Sequence, residues 1–581
     1  MSETTGKAFD YKLFKRILKY IKPYKSLFIL TGILTIVLSF MAPLRTLLVQ
    51  KALDNYVLAG DAEGLTQITL LILAILIVNA FLDFGQKYTT NLLGQSVVVD
   101  MRKQLFQHIL SFKMRYFDKT PIGSLVTRVT SDIQTITDIF SEGILVIISD
   151  ILQLIIALVF MYYTNATLAN ITLIPVPLVL IATFIFKNII KKAFQDVRVH
   201  VSAINTFIQE HVTGMNIVQI FNREKEEMNR FEKVNKGHRD GWIKTVWANA
   251  VFFPVVEILS ATSLGLLIWW GAKGVIQGVA TIGDMVAFIL YVNMLYRPIR
   301  QLADRFNTLQ LGMVSAERVF KILDTEEHIA NNGSYFPEKL KGEIKFTNVV
   351  FSYDDKVDVL KNVSFHLPAG NCLALVGATG AGKTSIINVL TRFYETKSGL
   401  VTIDGVDIKN YDLNELRRIC AVVLQDVFLF NDSIYNNVTL GRDTITKSEV
   451  EQAAKAIGVH DFITNLPDGY DYQVKERGAL LSSGQRQLLA FLRAYLYNPQ
   501  VLILDEATSS IDTQSEILIQ NAIETLTKGR TSIIIAHRLS TIQKANEILV
   551  LDKGEIVERG AHESLLQNKG YYHKLHNYQT L

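Results

Sequence analysis

Apolar residues gather into six long runs before residue 300, near residues 27–49, 68–84, 144–163, 168–186, 246–270 and 282–296. Several reach the roughly 20 residues that cross a bilayer as a helix, while the second and sixth are shorter and continue into more polar turns. No strand-like alternation separates the runs, so the pattern predicts six membrane-spanning helices rather than buried core helices. Ahead of them, residues 11–24 place Leu13, Phe14, Ile17, Leu18 and Ile21 on one helical face and basic residues on the other, the pattern of a helix lying in the membrane interface. Past residue 343 short apolar strands alternate with helical stretches, as in a parallel α/β domain. The expected division is an interfacial helix and tail over 1–25, a membrane domain over 26–323, a polar linker over 324–342 and a second domain over 343–581.

Charge orients the spans. Lys12, Lys15, Arg16, Lys19, Lys22 and Lys25 precede the first, and further Lys/Arg groups fill 85–143 and 187–245. The other three connections, "DNYVLAGDAEG", "YTNATLAN" and "GAKGVIQGVATIGD", are short and almost free of them. The positive-inside rule then sets both termini in the cytosol of a plasma (inner) membrane protein. The two basic segments are amphipathic, with Pro121 as the one breaker, and predict helices that continue well into the cytosol at about 1.5 Å per residue.

Composition agrees with such a mixture. Hydrophobic residues make up 49% and charged ones 20%, and the mean hydropathy is +0.23. A net charge of +4 points to no nucleic-acid partner, and two cysteines, Cys372 and Cys420, imply no disulfide framework or metal cluster. No cleavable secretory signal or organelle transit peptide is expected at the N-terminus.

The chemistry lies in the second domain. "LALVGATGAGKTSIINVL" reads as a buried strand, a glycine-rich turn and a helix start. Gly377, Gly380 and Gly382 let backbone N–H groups close around phosphate oxygens, Lys383 adds charge, and the Thr384 hydroxyl is placed to ligate Mg²⁺. A second strand, "VLILDEATSS", ends in Asp505, placed to bind the metal through water, and Glu506, the better candidate to polarise an attacking water. "TSIIIAH" ends in His537, at the ligand edge of such a sheet. Another helix start, "LLSSGQR", also suits an anion, because capped N-termini converge N–H groups and the helix dipole. That leaves one domain with two phosphate-facing helix starts.

"GATGAGKTS", "VVLQD", "LSSGQRQ", "ILDEATSSID" and "IIAHRLST", in that order and spacing, resemble the nucleotide-binding domain of an ABC transporter. "YFDKTPIGSLVTRVTSDIQTI" and "GDMVAFILYVNMLYRPI" resemble the membrane domain of the fused ABC exporters, so the likeness covers nearly the whole chain. It implies a multi-domain fold, an all-α six-helix transmembrane domain followed by an α/β P-loop nucleotide-binding domain, with ATP and Mg²⁺ as ligands. By that resemblance Tyr353 stacks on adenine, and Gly377, Ala378, Thr379, Gly380, Ala381, Gly382, Lys383, Thr384 and Ser385 form the phosphate loop. Thr384, Gln425 and Asp505 hold the metal; Glu506 is the base and His537 the switch histidine. Ser482, Ser483, Gly484 and Gln485 are the signature turn, Asp512 the acid of the loop that crosses between sites, and Glu476 the acid contacting a coupling helix.

The resemblance also answers for the second helix start: in such proteins it faces the γ-phosphate held by another nucleotide domain. A partner half transporter is therefore implied, with a homodimer favoured and a heterodimer left open. Ser483 stands where the family has glycine, Lys475 where "GERG" has glycine, and Leu488 where arginine is common; hydrolysis is expected to survive all three. ATP-driven efflux of a hydrophobic or amphipathic substrate, a drug or lipid, is expected, the alternative being an ATP-gated channel or regulatory ATPase. Arg45, Asp150 and Glu257 lie within spans as candidates for substrate contact or helix pairing.

Overall fold

The structure, a computed structural model, describes residues 11–337, 339–505, 513–535 and 542–580. It divides into two compact units, one of residues 1–110 and 122–326, the other of 111–121 and 327–581.

The first unit is helical. Six stretches are long and apolar enough to cross a membrane: Lys22–Val57, Ala62–Leu110, Ile122–Thr164, Ala166–Thr213, Glu224–Ile276 and Ile282–Ile299. The first of them inverts the packing of a soluble bundle, whereas later ones also bury large side chains such as Phe186, Phe252, Phe288 and Tyr291. Along Lys25–Ala52 the buried positions are Thr31, Thr35, Ser39, Pro43 and Thr46, whereas Ile29, Ile33, Ile36 and Phe40 are exposed. Lipid is as apolar as isoleucine, so large side chains gain nothing by turning inward, and small residues let neighbouring helices approach. The buried hydroxyls close on their own helix: Thr31 donates to the Leu27 carbonyl at 2.9 Å and Ser39 to the Thr35 carbonyl at 2.8 Å.

Polar contacts fix the ends of these helices. Asp54 accepts from the Thr281 hydroxyl (2.6 Å) and the Gly283 amide (2.8 Å), and Gln50 donates to Asp284 (2.6 Å) within the capping box that starts Ile282–Leu323. At the other end Ile17 of the helix Tyr11–Lys19 is fully buried, and Arg16 makes a bidentate pair with Asp324. The helix Glu224–Ile276 has 53 residues, about 80 Å at 1.5 Å per residue, far beyond a ~30 Å hydrocarbon layer. Beyond the spans the basic segments do continue as helices. The first breaks at Ser111–Lys113 and, as expected, again at Thr120–Pro121; the second breaks around Gly214 and Asn222, which adopts positive φ (49°).

The second unit carries two sheets, ordered β2-β1-β4-β5 and β10-β9-β3-β8-β7-β6. The strands are β1 Ile344–Phe351, β2 Leu360–Leu367, β3 Cys372–Gly377, β4 Ser398–Ile403, β5 Val406–Asp407, β6 Cys420–Val423, β7 Val501–Asp505, β8 Thr531–Ile535, β9 Glu547–Asp552 and β10 Glu555–Gly560. β6, β7, β8, β3 and β9 run parallel. β7 and β8 are buried along their whole length, as unbroken apolar runs require of strands covered on both faces. Two hydrophobic clusters result. One holds the antiparallel sheet, Leu373, Leu375 and the helix Lys383–Leu390; the other holds Ala374, Val376 and the helix Ser483–Tyr497. Alternate residues of β3 thus serve opposite faces.

This unit also contains residues 111–121, the tip of the first basic connection. Phe112, 7% exposed, bridges to His328 and stacks on its ring at 5.5 Å. The Lys113 amide donates to the Glu327 carbonyl at 2.9 Å, its ammonium pairs with the Glu327 carboxylate at 2.8 Å, and Arg115 pairs with Asp355 at 2.8 Å.

Candidate nucleotide site

Parallel β3, β6, β7 and β8 end at one sheet edge, and that topology gathers residues far apart in sequence. Gly377 closes β3, Asp505 closes β7, and Gln425, exposed, lies two residues beyond β6. Glu506, Asp512 and His537 lie outside the described residues; the strands that lead to them end at Asp505 and Ile535, which are paired in register.

The turn after β3 is shaped by main-chain conformation. Gly380 (φ +83°) and Gly382 (φ +105°) adopt left-handed geometry, and a Cβ on Gly382 would sit 2.9 Å from Leu360. Ala378, Thr379 and Gly380 are exposed, Ala381 is buried, and Thr384 is exposed at the helix start while Ser385 turns inward. Lys383 and Asp505 are each 8% exposed. Burial pushes the Lys383 ammonium below its usual range, and the nearby Asp505 carboxylate partly offsets this. The Lys383 ammonium donates to the Gly377 carbonyl at 2.7 Å and the Ala378 carbonyl at 3.1 Å. A buried cation resting on neutral carbonyls beside a glycine turn fits a phosphate, which is a stronger acceptor than either.

Three supporting residues, Asn388, Tyr394 and Gly554, escaped sequence reasoning. Tyr353, just past β1, accepts from the Asn388 side-chain amide at 3.0 Å, and its hydroxyl lies 3.0 Å from the Ser385 hydroxyl. Tyr394 meets its ring edge-on at 4.9 Å. The aromatic residue is thereby tied to the helix that follows the phosphate loop. Asn388 stands three residues after Ser385 on one helix face, a spacing that singles it out only once Tyr353's position is known. Gly554, in the β9–β10 turn, donates its amide to the Ala381 carbonyl at 3.1 Å; with φ +88° and the Val359 carbonyl 2.2 Å from any added Cβ, this position admits no side chain without a shift.

The second helix start is built as its sequence suggests. Ser482 caps Ser483–Tyr497, accepting from the Gln485 amide at 3.2 Å while the Gln485 side chain accepts from the Ser482 amide at 2.9 Å. Leu481 and Gly484 are buried; Ser482 and Ser483 are exposed. The two helix starts are rooted in different hydrophobic clusters. Glu476 lies in a short 3₁₀ turn just upstream. Among the described residues, Arg305 and Arg297 lie close enough to Asp150 to act on its charge, whereas Arg45 and Glu257 are exposed in the single chain.

Comparison with known proteins covers both units. Residues 28–299 match the family of the ABC transporter transmembrane region, and residues 360–509 match the family described as ABC transporter. An uncharacterized ABC transporter ATP-binding protein of Bacillus subtilis, YknV, is 37% identical over 573 residues, spanning 98% of this chain and 95% of its own length. An ATP-dependent lipid A-core flippase of Syntrophus aciditrophicus is 37% identical over 568 residues (98% and 94%). A probable multidrug resistance ABC transporter ATP-binding/permease protein of Bacillus subtilis, YheH, is 36% identical over 522 residues (89% and 77%). Sheet edge, glycine turn, buried lysine and six spans thus agree with the matches over both units, and the chain belongs to the ABC transporter family, as an integral multi-pass protein in which a membrane domain is fused ahead of an ATP-hydrolysing domain.

Proposed function

We propose that this protein is an exporter-type half transporter that works as a dimer and uses ATP to move a hydrophobic or amphipathic substrate, a lipid or drug, out of the cytosol. The observation that carries this reading is the pair of helix starts rooted in separate clusters, with the second one exposed. One ATP would lie against Lys383, Thr384 and Ser385 of one chain, with its adenine on Tyr353. Ser482, Ser483, Gly484 and Gln485 of the second chain would close over its γ-phosphate, with Asp512 in the loop crossing between sites. Both chains then hold one anion, and cleaving it loosens the seam.

Thr384, Gln425 and Asp505 would hold Mg²⁺, which neutralises charge on the phosphates when bound. Glu506 would take a proton from the attacking water, and His537 would orient the γ-phosphate. The short connections face outward and both termini face the cytosol of the plasma membrane. Relatives named as lipid A-core flippases and as a probable multidrug transporter support an amphiphilic cargo; none supports the channel alternative. A homodimer is the simpler assembly, and a heterodimer would require a second chain of the same family.

Glu506→Gln should lower ATP turnover about 10²–10⁴-fold, the range a general base contributes, while ATP binding persists. Hydrolysis at the parent rate by the purified variant would remove Glu506 from this role.

A further inference from the structure

The short connections carry several acids but one cation, Lys273. It stands where the helix Glu224–Ile276 nears its end, with its ammonium 5.3 Å from the ring centre of Trp270. The acids nearby are engaged elsewhere: Asp54 with Thr281 and Gly283, Asp284 with Gln50 and Thr281. Among the described residues Lys273 has no carboxylate partner. It opens instead onto a cavity of about 280 Å³ between two hairpin ends.

That cavity is amphipathic. Leu168, Ile171 and Trp270 form its apolar wall, while Thr167 and Gln277 line it with side-chain groups that make no hydrogen bond to another described residue. Asn165 braces the frame, accepting from the Thr167 and Leu168 amides at 3.1 Å and donating to the Val279 carbonyl at 3.2 Å. Trp270 and its neighbour Trp269 mark the depth at which amphipathic rings settle between acyl chains and headgroups. A cation, a hydroxyl and an amide beside an apolar wall match a phosphate joined to acyl chains. The lining holds no carboxylate to meet a choline or ethanolamine ammonium.

We propose that this cavity is a binding site for an anionic phospholipid, its phosphate on Lys273, Thr167 and Gln277 and its chains along Leu168, Ile171 and Trp270. The inference is separate from the nucleotide site and from the choice of cargo; it requires only that the six helices cross a bilayer.

The test uses the full-length protein in nanodiscs of phosphatidylglycerol and phosphatidylcholine, with retained lipid counted by native mass spectrometry and ATP hydrolysis measured in the same particles. Preferential retention of phosphatidylglycerol is expected, falling about fivefold in Lys273→Gln, the factor one lysine near an anionic surface supplies. Lys273→Arg should retain the preference and Gln277→Ala weaken it, so the outcome does not hang on one variant folding. ATP hydrolysis should be unchanged in all three. Equal retention in the parent and Lys273→Gln would overturn the proposal. Displacement of the lipid by millimolar inorganic phosphate would overturn it too, by making this a free-anion site.

Discussion

The tips of the two long basic connections differ. The first, residues 111–121, is part of the nucleotide-binding unit, held by the buried Phe112, a backbone bridge and two ion pairs. The second belongs to the membrane unit; its helix Met215–Ile220 leaves Ile217 61% and Ile220 72% exposed, and Phe221, which follows it, is 67% exposed. Arg230, Glu227 and His211 brace the helices behind it. A polar segment that stayed solvated would not hold three large apolar side chains at its apex. The difference teaches that the first connection is packed within its own unit, while the second presents an apolar apex that its own unit does not cover. On the two-chain reading, the missing apolar surface lies on the partner.

Three perturbations would break or sharpen this contrast. The largest effect is expected from Ile220→Asp, which takes away an apolar side chain worth about 1.5–3 kcal/mol when buried and puts a charge in its place. Substrate-stimulated ATP hydrolysis should fall at least about tenfold while nucleotide affinity holds, 1.4 kcal/mol being a factor of ten. Undiminished stimulation would mean that the second tip docks nowhere.

Phe112→Ala should come next, costing the first tip about 3–5 kcal/mol, as large-to-small changes at buried phenylalanines do. Hydrogen exchange at residues 111–121 would then rise well above the parent's, whereas Arg115→Ala, breaking a pair whose Asp355 side chain is 67% exposed, should change it by less than about 1 kcal/mol. If the two variants exchange alike, the tip is not held by Phe112.

The smallest effect is a pH dependence behind the second tip. His211 is stacked on Phe207 and lies 2.9 Å from Glu227, whose carboxylate raises the imidazole above its ordinary value; Glu227 is correspondingly lowered. A raised folded-state value means the contact helps below the ordinary histidine value near 6.5 and is lost as pH climbs through the raised one. Exchange across residues 207–231, corrected for its intrinsic rate, should therefore increase as pH rises above the ordinary histidine value of about 6.5. A flat profile would remove the pair as a brace.

How much of this was legible follows from what sets each feature. The spans and the phosphate loop are written in consecutive residues, since length, apolarity and a Gly-x-Gly-Lys-Thr turn need no distant partner, and they read directly. The sheet edge was legible in part: the apolar run ending in Asp505 placed that acid at a strand's carboxyl end, whereas Gln425 came only by family likeness, because β8 and β7 lie between β3 and β6, an order no local pattern encodes. Asn388 was missed because its partner Tyr353 is 35 residues away, and Gly554 because its role depends on the Ala381 carbonyl from another strand's loop. Residue spacing also gave no sign that the two similar basic connections would divide between the two units, because Phe112 and Ile220 look alike as exposed or buried apolar residues until a surface covers one of them.

The central claim is that ATP is held between two chains. Spin labels at the exposed helix position Ile517→Cys, with Cys372 and Cys420 replaced by serine, would give the distance between copies of the Glu506→Gln protein without and with ATP. The account predicts two labels per complex, a broad distribution without nucleotide and one short, narrow distance with it. A complex of one chain, or a distribution that ATP leaves unchanged, would contradict it.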